Sequence, residues 1–158
     1  MKKQRENNSG SLPEGLNKLL AAYQVAYFNA RACHWMVKGG NFFELHKLFE
    51  TVYNDATTKI DEIAERILTL GGTPLMTGTE LIATSAVKEQ KVNGEEKKCV
   101  ELLLEDLRTL ADIEKGLVQK AEEHEDIVTA DQLTGYMAEQ QKTGWMLSQF
   151  LSRKSSIG

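Results

Sequence analysis

The sequence predicts an all-α protein: a bundle of four long helices with one long crossover between the second and the third. Three observations carry that expectation. Apolar residues recur every three or four positions through four stretches, helix-capping signatures stand at the head of each stretch, and the connections between stretches are unequal in length. No strand-like alternation competes.

The first helix opens at Ser11 with Glu14 three residues on, a capping box, and Pro13 in the first turn, where its missing N–H does no harm. It is expected to run to about Lys38 with Leu16, Leu19, Leu20, Tyr23, Tyr27, Ala30, His34 and Val37 on one stripe, and Gly39-Gly40 stops it. Asn41 with Glu44 repeats the box and opens the second helix, whose stripe includes Leu45, Phe49, Val52, Ala56, Ile60, Ile63, Ile67 and Leu70 before Gly71-Gly72 and Pro74. Asn93 with Glu96 opens the third, which carries Val100, Leu103, Leu107, Leu110, Leu117 and Ala121. Thr129 with Gln132 opens the fourth, which carries Leu133, Met137, Gly144, Leu147 and Leu151.

The first two helices are joined by a tight turn, as are the last two, whereas Gly72 to Asn93 is a long excursion in which Glu80 to Ala86 can form a short extra helix. A bundle with one long crossover is the ferritin-like arrangement, since a simple up-down-up-down bundle needs none. The expected organisation is a tail over residues 1–10, a four-helix domain over 11–153 and a short tail over 154–158.

A length of 158 residues suits one domain with a single substantial core, and 41% apolar with 27% charged residues is ordinary for a chain that folds. The net charge of -4 argues against a body surface built to hold nucleic acid. Lys2, Lys3 and Arg5 are not followed by an apolar stretch, so no signal peptide is read, and no apolar run is long enough to span a bilayer. A cytoplasmic location and no membrane partner are the expectation. Cys33 and Cys99 form no CxxC pair and read as small buried apolar groups.

The chain has three histidines. His124 falls at the end of the third helix, where a cation suits the dipole, and reads as a solvated cap. His34 lies on the first helix's apolar stripe and His46 early in the second, so the hairpin brings them near each other. Asp61 and Glu65 share one face of the second helix at i,i+4 spacing, as do His46 and Glu50. Two imidazoles with several carboxylates suit a first-row metal such as iron, although an acidic i,i+4 pair taken alone is more often a solvated face.

Spacing adds a constraint. His46 and Asp61 stand fifteen positions apart on one continuous helix, roughly 22 Å at about 1.5 Å per residue. They cannot ligate one ion within one chain. A site using all four groups needs a second copy with its second helix antiparallel, and two-fold symmetry then gives two identical sites per dimer. A diiron centre inside one bundle is disfavoured, because no histidine has a glutamate three residues before it.

With these residues in view the sequence resembles the Dps family of miniferritins. The likeness rests on His34-Trp35-Met36-Val37-Lys38-Gly39, Asn41-Phe42-Phe43, Leu45-His46 and Asp61-Glu62-Ile63-Ala64-Glu65-Arg66 leading into Leu70-Gly71-Gly72. Thr129-Ala130-Asp131 and Trp145 extend it across nearly the whole chain. The resemblance implies an intersubunit ferroxidase site of His34 and His46 from one subunit with Asp61 and Glu65 of its neighbour, and Glu50 as a further oxygen ligand. It also implies a twelve-subunit shell, ferrous iron as substrate, hydrogen peroxide in preference to dioxygen as oxidant, and a stored ferric mineral that protects against oxidative stress.

Within that resemblance Asp131 aligns with a position lining negatively charged three-fold pores, a path that Asp126 or Glu122 could extend. As a plain helix-terminal acid Asp131 would satisfy the dipole equally well. Trp35 shields the site or intercepts radicals, or else simply packs. DNA is the secondary partner, through Lys2, Lys3, Arg5, Arg153 and Lys154 with avidity from twelve copies. The rival function is a non-catalytic shell that binds and protects DNA.

Overall fold

The computed structural model describes residues 10–153. The expectations for Lys2, Lys3, Arg5 and Lys154, and for the Arg153 side chain, lie outside the described residues. The elements are α1 (Leu12–Met36), α2 (Phe42–Thr69), α3 (Gly78–Thr84), α4 (Glu96–Glu123) and α5 (Ile127–Arg153). Among the described residues there is no strand, only an isolated bridge between Lys38 and Glu95. The all-α bundle with one long crossover is therefore the fold of the chain.

The helices pack as their stripes require, with α1 against α2 and α4, α4 against α5, and α3 against α1. Toward one end Leu16, Leu19, Leu20, Ile63, Ile67, Leu117 and Leu133 form a buried cluster. Toward the other, Ala30, Cys33, Val37, Leu45, Phe49, Cys99, Val100, Leu103 and Leu147 form a second. Full burial of each larger aliphatic or aromatic side chain contributes about 1.5–3 kcal/mol, so the stripes rather than the caps hold the bundle together. Both cysteines are free and buried, with the Cys33 thiol pointing at the Cys99 carbonyl.

Only the first capping box forms as read, with Ser11 and Glu14 bonding reciprocally, and α1 ends at Met36 rather than Lys38. Asn41 precedes α2 but makes no side-chain cap bond, because its amide N–H and its Nδ2 both donate to Glu96, at 2.7 and 3.1 Å. That removes Glu96 from the box expected with Asn93, and α4 is flanked by Glu95 instead. α5 starts before Thr129: Asp126 accepts from the Thr129 N–H at 3.0 Å and so takes the capping role. The crossover helix spans Gly78–Thr84, not Glu80 to Ala86, with a capping box between Thr77 and Glu80. Thr-Gly-Thr-Glu carries the same signature as the first helix and could have placed it.

Two asparagines of α1 fasten the crossover along the bundle. Asn17 donates to Thr73 O (3.0 Å) and accepts from Leu75 N (2.8 Å). Asn29 donates to Lys88 O and to Asp106 Oδ2, both at 2.9 Å, and accepts from Gln90 N at 3.0 Å. Farther on, the Gly94 carbonyl accepts from Lys38 N at 3.0 Å, tying the crossover's end to the α1–α2 turn. Gly94 has φ +86, and a Cβ there would lie well inside van der Waals distance of the Met36 carbonyl oxygen. Gly94→Ala is expected to cost about 2–3 kcal/mol, seen as a lowered denaturant midpoint; an unchanged midpoint would refute this close approach.

Candidate iron site

His34 and His46 meet across the hairpin. Their rings stack with centroids 3.7 Å apart and an interplanar angle of 16°. Each Nδ1 lies on the other residue's backbone carbonyl: His34 Nδ1 on His46 O at 2.6 Å, His46 Nδ1 on His34 O at 2.7 Å. A carbonyl oxygen can only accept, so both Nδ1 atoms carry protons and act as donors. In the neutral rings that tautomer leaves each Nε2 with its lone pair, the atom a metal ion would take.

Aromatic neighbours hold the pair. Phe42 stacks on His46 at 4.8 Å and Tyr53 meets His34 edge-on at 5.2 Å. Reading the sequence alone missed both, although Tyr53 lies seven residues after His46, two turns along the same face of α2. The turn is fixed from a distance by Glu96, whose carboxylate grips Asn41 just ahead of α2. Gly39, at φ +139, also sits against Glu96, so a side chain there would press on that grip.

The acidic candidates lie elsewhere on α2. Glu50 is one turn beyond His46, while Asp61 and Glu65 occupy the far half of the helix, and all three are exposed. Since α2 is unbroken from Phe42 to Thr69, the roughly 22 Å between His46 and Asp61 stands. Among the described residues no three His, Cys, Asp or Glu side chains gather where one ion would fit. Within one chain the structure thus brings together His34 and His46 and leaves Asp61 and Glu65 apart from them.

Trp35 is 64% exposed, with the Arg31 guanidinium 4.6 Å from its ring centroid. Glu122 and Asp131 are exposed near the α4–α5 turn. Asp126 instead accepts from Arg66 Nη2 at 2.8 Å and caps α5, so much of its charge is already engaged. His124 closes α4, its Nδ1 on Lys120 O at 2.8 Å, as an exposed cap.

A second polar cluster lies in the bundle interior. Tyr23 of α1 donates to Glu114 Oε1 of α4 at 2.5 Å, and Gln140 Nε2 of α5 bonds to both. Burial pushes the Glu114 carboxyl up to about 7, with the Tyr23 and Gln140 bonds and nearby Lys59 acting the other way. Burial, followed by the Glu114 charge, holds the Tyr23 proton far more tightly than usual. Lys59 is itself buried, its ammonium 2.6 Å from Asp55 and 3.0 Å from Glu139.

Comparison with known proteins agrees with the fold. A family profile described as a ferritin-like domain matches residues 13–156. The chain is 38% identical to DNA protection during starvation protein 2 of Bacillus anthracis, over 89% of this chain and 96% of that protein. It is 36% identical to the DNA protection during starvation protein of Helicobacter pylori, over 88% and 97%. Among solved structures, Dps from Vibrio cholerae, described as one of the ferritin-like diiron-carboxylate proteins, superposes with a TM-score of 0.86 at 37% identity, covering 89% of this chain and 88% of that one. Dps from Listeria monocytogenes gives 0.88 at 31% identity, covering 92% and 96%. With the crossover topology, the stacked histidine pair and similarity over nearly its full length, the chain belongs to the Dps family of ferritin-like miniferritins.

Proposed function

We propose that this protein is a ferroxidase that oxidises ferrous iron, with hydrogen peroxide in preference to dioxygen, at sites shared between two-fold-related subunits, and stores the ferric product in a dodecameric shell. The observation that carries the reading is the reciprocal histidine lock, which commits both Nδ1 atoms to backbone carbonyls and reserves both Nε2 atoms for a metal. Two imidazoles make half a site. With the α2 helices of two copies antiparallel, Asp61 and Glu65 of the second copy complete it, and Glu50 adds an oxygen ligand. The imidazoles hold the entering ferrous ion, the carboxylates favour the harder ferric product, and open coordination positions admit the oxidant. Asp131 and Glu122 guide iron inward; Asp126 contributes less, since Arg66 already offsets it.

Several relatives are named for protecting DNA, and a DNA-binding shell without iron chemistry is the rival. Peroxide-driven consumption of ferrous iron separates the two. Asp61→Asn with Glu65→Gln removes both charges and keeps both shapes, so the variant should assemble normally yet lose ferrous oxidation by about tenfold or more. Oxidation at the wild-type rate would remove these carboxylates from the site. Iron is substrate here, but it also binds the folded site, so ferrous ion should raise the thermal midpoint of the wild type and not of this variant.

A further inference from the structure

The chain has two cysteines, and the bundle brings them together. Cys33 stands in the last turn of α1 and Cys99 in the first turn of α4, 66 positions away in sequence. Both are free and both are 0% exposed. The Cys33 Sγ lies 4.0 Å from the Cys99 carbonyl oxygen, and its thiol also donates to the Cys99 sulfur. Around them are the apolar side chains of Ala30, Val37, Phe49, Val100 and Leu103.

The backbone on either side of the pair is clasped. Lys38 N donates to Gly94 O at 3.0 Å, and the Glu96 carboxylate holds Asn41 at 2.7 and 3.1 Å. The end of α1 is thus fixed against the start of α4 beside the two sulfurs. A bond between them asks for side-chain rotation and a small adjustment of packing, since disulfide geometry needs the two backbones close together.

A single cysteine in an apolar site is usually inert. Here each thiol has the other as its partner, and the contact is asymmetric. The Cys33 thiol is the donor, and its hydrogen bond draws the Cys99 thiol below its ordinary value, against the effect of burial. The first turn of α4 adds the positive end of a helix dipole, which also favours a thiolate there. The apolar enclosure selects the oxidant: hydrogen peroxide is neutral and little larger than water, whereas charged or bulky oxidants are kept out.

We propose that Cys33 and Cys99 form a dithiol site that reduces hydrogen peroxide and closes into a disulfide, stapling the end of α1 to the start of α4. The Cys99 sulfur, giving up its proton, attacks one peroxide oxygen. An S–O bond forms, the O–O bond breaks, and the hydroxide that leaves takes the proton and becomes water. The Cys33 sulfur then attacks the Cys99 sulfenic acid, forming the S–S bond and releasing a second water that carries the Cys33 proton. Two thiols lose two electrons and one peroxide gains them, and a small dithiol reductant reverses the result. The step needs no metal and stands apart from the iron reaction.

The test uses the full-length assembled protein, free of iron and with a chelator present, exposed to hydrogen peroxide at doses that leave its helical circular dichroism unchanged. The sample is then alkylated in denaturant and analysed by mass spectrometry. In the wild type both thiols should escape alkylation, the chain should lighten by two hydrogens, a Cys33–Cys99 linked peptide should appear, and dithiothreitol should restore both thiols. Cys33→Ser should leave Cys99 as a sulfenic acid that a cyclic 1,3-dione captures. In Cys99→Ser, the Cys33 thiol should disappear at least about tenfold more slowly than in the wild type. Thiols that stay open to alkylation in the wild type would overturn the proposal, as would links between chains or separate oxidation of each cysteine to sulfinic acid. Loss of Cys33 from Cys99→Ser at the wild-type rate would remove Cys99 as the attacking sulfur. With no iron in the sample, every one of these results leaves the iron site to be judged by its own experiments.

Discussion

Dissociating and reassembling an equimolar mixture of His46→Asn and Glu65→Gln subunits is expected to recover about one quarter of wild-type ferrous oxidation, although each variant alone has lost about tenfold or more. The arithmetic follows from a two-fold dimer with two shared sites. Half of randomly formed dimers are mixed, and each mixed dimer joins the intact His46 of one subunit to the intact Glu65 of the other at one site, while both lesions fall at its second. Asparagine is chosen because its Nδ2 imitates the imidazole Nδ1 donor that bonds to His34 O, so the lesion removes Nε2 and spares the lock. The checks are the initial rate of ferrous loss with peroxide and mass-spectrometric proof of subunit exchange. Exchange without recovery would confine the site to one chain.

The other large effect concerns pH and the Glu114 cluster. Burial raises this carboxyl from its ordinary 4.5 to about 7, so between those values the folded protein retains a proton that the unfolded chain releases. The stability contributed is therefore complete below the unfolded value and is lost as pH rises toward 7, a total of about 3 kcal/mol at 1.36 kcal/mol per unit. Glu114→Gln is neutral at every pH. Its Nε2 falls where Glu114 Oε2 already lacks a partner, so the exchange orphans nothing new. The variant should match the wild type near pH 4.5 and exceed it by up to about 3 kcal/mol at pH 8. Urea midpoints across that range measure it, and parallel curves for the two proteins would deny Glu114 this role. Asp106, also raised to about 7 by burial, leaves a residual slope in both.

What could be read from the sequence was whatever neighbours decide. The Ser11–Glu14 box and the nearness of His34 to His46 depend on residues close along the chain, and the structure has both, whereas α1 ends at Met36, short of the Gly39-Gly40 pair expected to stop it. The boxes expected at Asn41–Glu44 and Asn93–Glu96 failed for one shared reason: Asn41 and Glu96 bond to each other across 55 positions, a partnership that no local signature reveals. Tyr23, Glu114 and Gln140 were hidden in the same way, since each looks unremarkable on its own helix and the three meet only when the bundle closes. The proposal of a shared iron site could be framed from the sequence because the rise of a helix keeps His46 and Asp61 of one chain apart.

The histidine lock ties heredity to architecture. The His34 carbonyl that His46 serves lies in the last turn of α1, among the oxygens that no helical amide reaches. His46 is therefore a splice in the hairpin as well as a proposed ligand. A substitution that erased only the metal function would have to supply a donor at the same place, and among ordinary side chains few besides asparagine can. If His46 binds iron as proposed, drift at this position is filtered twice, once by the metal and once by the need to keep the end of α1 wound, and a descendant with no use for the metal would still be held by its fold to a donor such as histidine or asparagine.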